Sequence, residues 1–392
     1  MTFVNVLLVG AGEINFGSVE GPWNHVSARL IQFLGTRLKV VAIIDPDAER
    51  AKASIASKLE GFVAPAYKHT EIFATVHAAA EALPDSHCPH LVILGAPPQF
   101  RGSDEQGRDL DLQLVRAFPK CALFVEKPVS GGPSDSCWRV VQELSERKVL
   151  VGVGYVLRYL KGDNGVSQII EDNNLVVMGT NARYVMAYEY ARKLPWWDKT
   201  HSCGPIVEQA THFCDLSRYF GGEVLLPSVT AHTVEHDETP GQLSAKRFDE
   251  SVISPENRIP RLTSASWKYK GGAVGSLMHV IALHGTTYDT ELEVYADGYR
   301  LKLVDPYNSP VLYVRRPSIE HEEVYRFEED DPFYSELSTF IDAMENPITE
   351  NEILSSYEDA VLTYEFTWKI RLASDASANF NRELQCGTSS VQ

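Results

Sequence analysis

A chain of 392 residues exceeds what one hydrophobic core organises, and its 44% hydrophobic content supplies apolar side chains for two domains. A formal net charge of −17 repels phosphate backbones and anionic lipid, so neither nucleic acid nor a membrane is expected as a partner. The six cysteines (Cys88, Cys121, Cys137, Cys203, Cys214 and Cys386) have no paired metal spacing; free thiols, a cytoplasmic setting and no signal peptide or membrane span are expected.

The first 150 residues alternate short β-branched runs with helical segments. Strands are predicted over Phe3–Val9, Leu38–Ile44, His90–Leu94, Ala122–Val125 and Val149–Val153. Helices are predicted over Pro22–Leu34, Asp47–Leu59, Glu71–Leu83, Gly107–Ala117 and Pro133–Arg147. Continuous apolar strands separated by helices predict a doubly wound parallel sheet covered on both faces.

The pattern changes after Val153. A helix is predicted to end near Asp172, then a strand over Val176–Tyr188, a helix over Val207–Phe220, and a run of strands from Val224 to Phe327. The turns Lys270-Gly-Gly-Ala273 and Ala296-Asp-Gly-Tyr299 predict antiparallel hairpins within one large open sheet. The polar stretch Glu235–Pro260 reads as a long surface loop or lid. Helices over Pro332–Met344 and Ser355–Ala373 close the fold, and the tail after Asp375 is expected to be loose. The expected division is 1–153, 154–375 and a tail at 376–392.

Leu8-Val-Gly-Ala-Gly-Glu-Ile-Asn-Phe-Gly17 follows the first strand. Gly10 and Gly12 permit a tight turn and close approach of backbone to a pyrophosphate. The third glycine of the usual fingerprint falls on Asn15, and Phe16–Asn24 separates it from the expected helix, so the phosphate loop is extended. Asp45, ending Val41-Ala-Ile-Ile-Asp45, stands where an acidic side chain accepts from adenosine ribose hydroxyls; Pro46-Asp47 offers no arginine for a 2′-phosphate. NAD is favoured, with NADP left open. The competing reading is a glycine turn that binds nothing.

Glu126-Lys127-Pro128 ends a predicted parallel strand, at the edge where open α/β sheets place ligands. Lys127 there can hydrogen-bond a ribose or substrate hydroxyl and stabilise a developing alkoxide, or it is a solvated lysine before a proline that ends the strand. Glu208, His212 and Asp215 are spaced four and three apart, one face of a helix. An imidazole held by a carboxylate can take the hydroxyl proton of an alcohol as hydride leaves its carbon. The alternatives are a satisfied core histidine and, more weakly, a metal site; no metal is expected.

These segments, with Gly154-Tyr-Val-Leu-Arg-Tyr159 and Phe333-Tyr-Ser-Glu-Leu-Ser-Thr-Phe340, resemble the glucose–fructose oxidoreductase, inositol dehydrogenase and rhizopine-catabolism (Gfo/Idh/MocA) group of oxidoreductases over most of the chain. The resemblance implies an α/β protein: an N-terminal Rossmann domain and a C-terminal α+β domain with a large open, mostly antiparallel sheet whose inner face holds substrate. Lys127 resembles the family's active-site lysine and His212 its proton-transferring histidine. Glu208 stands where many members carry aspartate, and Asp215 matches the second acidic position. Cofactor contacts are expected at Gly10, Gly12, Glu13, Ile14, Asn15, Asp45, Ala96, Pro97, Glu126 and Lys127, and substrate contacts at Arg158, Tyr159, Trp196 and Trp197. The segment Gly95–Arg101 departs from the family pattern in having no nearby histidine, and a charged insertion, Ser103–Asp111, follows it.

The expected activity is NAD(P)-dependent hydride transfer at a secondary alcohol or ketone of a sugar, sugar derivative or cyclitol, by a homodimer or homotetramer. Two alternatives are reduction of an enone, imine or carbonyl in specialised metabolism and a non-catalytic dinucleotide-binding sensor.

Overall fold

The computed structural model describes residues 3–17, 29–191, 193–245 and 249–389. They form two compact units: residues 1–159 with 331–361, and residues 160–330 with 362–392. The chain therefore returns to its N-terminal unit for the helix Pro332–Glu345, which the expected division at 153 had assigned to the second domain.

The N-terminal unit is built on six parallel strands: β1 (Val4–Val9), β2 (Leu38–Ile44), β3 (Glu71–Phe73), β4 (Leu91–Leu94), β5 (Ala122–Val125) and β6 (Val151–Val153), ordered 3-2-1-4-5-6. That order, reversing between β1 and β4, is the doubly wound dinucleotide-binding arrangement. The predicted helix over Glu71–Leu83 is instead β3 followed by the helix Val76–Ala82, capped by the Thr75 side chain. Ile72 and Phe73 extend the sheet beside β2, a pairing that local periodicity does not encode. Of the predicted helix Pro22–Leu34, residues 22–28 lie outside the described residues, and a helix covers Leu30–Leu34. The core joins β1, β2, β4 and β5 to Leu337, Phe340 and Ile341 of the returning helix, with Phe124 edge-on to Phe340 at 5.5 Å.

The second unit carries eight strands: β7 (Val177–Ala187), β8 (Thr230–Val234), β9 (Leu262–Lys268), β10 (Val274–Leu283), β11 (Asp289–Ala296), β12 (Tyr299–Val304), β13 (Val311–Arg315) and β14 (Glu323–Arg326). Their order is 14-13-12-11-7-10-9-8, antiparallel except between β7 and β10. Both predicted hairpins are present, joining β9 to β10 and β11 to β12. The helix Thr211–Gly221 crosses the sheet with all residues but Tyr219 and Gly221 buried, so it is an interior helix rather than a surface one.

Two expectations are corrected in this unit. The tail after Asp375 continues the helix Tyr357–Ser389, with Ala378 buried and Arg382 3.7 Å from Glu235. The described part of Glu235–Pro260 is not a free lid: Glu250 and Arg261 form a buried bidentate ion pair that pins it.

Candidate active site

In the N-terminal unit the glycine loop leaves β1 at the point where strand order reverses. Gly10 has φ +93°, and a Cβ there would sit 3.0 Å from Ala96 N, so only glycine lets the loops after β1 and β4 meet. A short helical turn, Glu13–Phe16, starts directly after Gly12. The expected extension therefore begins after Phe16, and most of it falls on residues 18–28, outside the described residues. Asn15, in place of the third glycine, is buried; its Nδ2 donates to Val9 O at 3.0 Å and Gly10 O at 2.7 Å, holding the loop's shape. Gly95 makes room for it, since a Cβ there would meet Asn15 Oδ1 at 2.7 Å.

Asp45 ends β2 with 2% exposure, accepting from Ala11 N at 2.6 Å, Asp47 N at 2.8 Å and Arg50 Nη2 at 2.7 Å. Burial acts to raise its pKa, but the hydrogen bonds from Arg50, Ala11 and Asp47 outweigh burial and hold the carboxyl below its ordinary value. The immediate Pro46-Asp47 lacks an arginine, yet the helix Ala48–Leu59 brings Arg50 to the same carboxylate with half its side chain exposed. Such an arginine can take a 2′-phosphate while Asp45 serves the ribose hydroxyls. Arg50→Ala is therefore expected to weaken NADPH binding about tenfold, the worth of one charge-assisted hydrogen bond, and NADH binding much less. Parallel fluorescence titrations measure both; an equal loss for the two cofactors would remove Arg50 from the choice.

Glu126 is buried and Lys127 half-buried at the end of β5, with the Lys127–Pro128 peptide cis. Of the other expected contacts in this unit, Ala96 is buried and Pro97 exposed in the loop after β4. Arg158 and Tyr159, expected as substrate contacts, are both buried and have partners within this unit. Arg158 is 3% exposed and 2.7 Å from Asp359 Oδ2, and Tyr159 Oη accepts from Leu354 N at 2.9 Å.

In the second unit the single helix expected over Val207–Phe220 is broken into Pro205–Glu208 and Thr211–Gly221. At the break, Gln209 Oε1 accepts from His279 Nε2 of β10 at 2.7 Å. Glu208, before it, accepts from Trp196 Nε1 at 2.9 Å, and Asp215 accepts from Thr363 Oγ1 at 2.8 Å. The tryptophan pair divides. Trp197 is fully buried, donates to Ala191 O at 2.8 Å and packs under Arg261, whereas Trp196 turns to Glu208.

His212 is 8% exposed, with the Tyr307 ring 6.1 Å away and edge-on. Tyr307 also meets Phe213 and Tyr184, and Tyr184 stacks on His279 at 5.4 Å and approaches Tyr288 at 5.8 Å. Burial, with the neighbouring Tyr307 and Tyr288 adding to it, pushes the Tyr184 phenol well above its ordinary pKa, so it stays protonated. Sequence reasoning missed Tyr184, Tyr288, Tyr307 and Gln209. Alternation along β7 puts Tyr184 on the buried face, but Tyr288 and Tyr307 sit in connections with no periodic signal.

Burial drives the His279 pKa down to about 3. Its folded value lies below its unfolded one, so its contribution to stability is present above the ordinary imidazole value and is lost as pH falls. Between pH 7 and pH 5 the loss amounts to about 2 kcal/mol. Urea unfolding at both pH values should show wild type losing that much more stability than His279→Gln; parallel losses would show that His279 is not the group responsible.

Among the described residues no group of three or more His, Cys, Asp or Glu is placed to hold a metal, and no helix is long and apolar enough to cross a membrane.

Comparison with known proteins agrees with this architecture. Residues 4–155 match the oxidoreductase family with an NAD-binding Rossmann fold, and residues 158–299 match an oxidoreductase C-terminal domain. The chain is 46% identical over 363 residues to the uncharacterized protein UNK4.17 of Schizosaccharomyces pombe, covering 92% of this chain and 89% of that one. Among solved structures it shares its fold with the WlbA dehydrogenase from Bordetella pertussis in complex with NADH and UDP-GlcNAcA (TM-score 0.67, 16% identity, 95% and 96% of the two chains). It also shares it with KijD10, a 3-ketoreductase from Actinomadura kijaniata in complex with NADP and TDP-benzene (TM-score 0.67, 14% identity, 95% and 98%). With the glycine loop at the strand-order reversal and Asp45 tied to that loop, the chain belongs to the Gfo/Idh/MocA family and is an NAD(P)-dependent oxidoreductase.

Proposed function

We propose that the chain catalyses hydride transfer between NAD(P) and a secondary alcohol or ketone of a small polyhydroxylated molecule: a sugar, a sugar derivative or a cyclitol. The observation that carries this reading is His212 set edge-on to Tyr307, which with Tyr288 groups around the buried Tyr184 of β7. Phenol hydroxyls donate to substrate hydroxyls, and the ring faces pack on the apolar side of a sugar or cyclitol. The sugar nucleotide bound by the solved WlbA dehydrogenase fits the same chemistry.

When bound, the nicotinamide cofactor supplies the hydride acceptor or donor. Gly10, Gly12, Glu13, Ile14 and Asn15 shape the loop that takes its pyrophosphate, and Asp45 takes its adenosine ribose. Ala96, Pro97 and Glu126 border the cofactor on the edge formed by β4 and β5. His212 removes the hydroxyl proton during oxidation and returns it during reduction. Lys127 donates hydrogen bonds to a ribose hydroxyl of the cofactor and to the reacting oxygen, whose developing negative charge it stabilises. Glu208 and Trp196 act as a hydrogen-bonded pair beside the substrate, and Asp215 sets the angle of the helix that carries His212.

The test is to load the protein with NAD or NADP and follow absorbance at the nicotinamide band against cyclitols, aldoses, uronic acids and nucleotide sugars. Turnover confined to polyhydroxylated substrates is expected. Tight cofactor binding with turnover only on enones or imines would replace this reading by the reductase alternative.

A further inference from the structure

We propose that Arg101 is the positioning residue for Lys127, its guanidinium holding the carbonyls on both sides of that lysine and tying them to the end of the neighbouring strand. This rests on the role of Lys127 given above. Arg101 sits in the loop after β4 and is 1% exposed. Its Nη1 donates to Leu94 O at 3.2 Å and to Ala96 O, while its Nη2 donates to Glu126 O and to Pro128 O at 2.9 Å.

The four acceptors form two pairs, one where β4 ends and one where β5 ends. Leu94 O also accepts from Glu126 N at 3.0 Å, and carbonyls that run past this last bond between the two strands need another partner if buried. A rigid, planar fork can serve both pairs at once, and a lysine ammonium on a flexible stem cannot. The second pair belongs to residues 126 and 128, so the clamp fixes the backbone directly before and after Lys127.

Burial is the largest influence on the guanidinium and pulls its pKa below the ordinary arginine value; Glu126 and Asp111 act against it and offset part of the cost of taking the cation out of water. Asp111 in turn accepts from Gly102 N, next to Arg101, at 3.0 Å and from Tyr357 Oη at 2.7 Å. The segment Gly95–Arg101 and the insertion after it, read from sequence as departures from the family pattern, thus form the support of the strand end that carries the lysine. Small displacements of a group that contacts the reacting atoms are costly, which gives such a support its use.

The test is a double-mutant cycle on NADH affinity by fluorescence, using Arg101→Ala, Lys127→Met and the combination. Each single change is expected to weaken binding about tenfold, with the double variant within about threefold of Lys127→Met alone. Added guanidinium ion should restore affinity to Arg101→Ala and not to the double variant, a response that a purely structural arginine would not give. Arg101→Lys, which keeps the charge, takes its place in the cycle if Arg101→Ala does not fold. Losses that multiply to about a hundredfold, or folded Arg101 variants that bind NADH like wild type, overturn the proposal and leave Lys127 in its role. Unchanged NADH affinity in Lys127→Met, with weakening in the Arg101 variants, removes both.

Discussion

His212→Asn is expected to lower turnover roughly 10²- to 10⁴-fold, the usual contribution of a positioned general acid–base group. The expectation comes from where the helix break puts the imidazole. Gln209 is committed to His279, Glu208 to Trp196, and Thr211–Gly221 starts afresh with His212 in its first turn, beside Tyr307. Asparagine keeps the size and some hydrogen bonding but cannot take a proton near neutral pH. NADH affinity should stay within about threefold of wild type, since the glycine loop and Asp45 belong to the other unit. Stopped-flow and steady-state rates on the substrate found by the panel would check this. A variant that keeps more than about a tenth of the rate would strip His212 of the proton-transfer role.

Arg261→Met is expected to destabilise the protein by about 3–5 kcal/mol, because it removes the buried guanidinium that faces the buried Glu250 carboxylate. The pair is bidentate, Nη2 lying 2.8 Å and 2.6 Å from the two Glu250 oxygens, with exposures of 3% and 5%. Arg261 also donates to Gly241 O at 3.3 Å and Ile259 O at 3.2 Å, and its guanidinium lies 5.3 Å from the Trp197 ring. One side chain thus fastens both ends of the 235–260 connection and covers a core tryptophan. Replacing both members, Arg261→Met with Glu250→Leu, should recover much of the loss, since no buried charge remains. Urea unfolding of the three proteins measures it, and a single-variant loss below about 1 kcal/mol would mean that water reaches the carboxylate.

The strands of the N-terminal unit other than β3, the strand β7, the two hairpins and the order of the site segments were legible in the amino-acid sequence because their signals are local. Apolar runs of four to seven residues mark β1, β2, β4 and β5. Glycine pairs mark turns, and Gly10, Asp45, Lys127 and His212 stand at fixed distances from elements that periodicity identifies. The tertiary structure alone decided what each polar group does once it is buried. It split the helix before His212 by bringing Gln209 to β10, moved Arg50 onto Asp45, sent Trp197 into the core and Trp196 to Glu208, and kept the last helix intact to Ser389. It also assembled Tyr184, Tyr288 and Tyr307 beside His212 and closed Arg101 around four carbonyls. The physical reason is common to all of these: a buried donor or acceptor must find a partner, that partner is often distant in the chain, and the free energy of the match overrides local propensity without leaving a local trace.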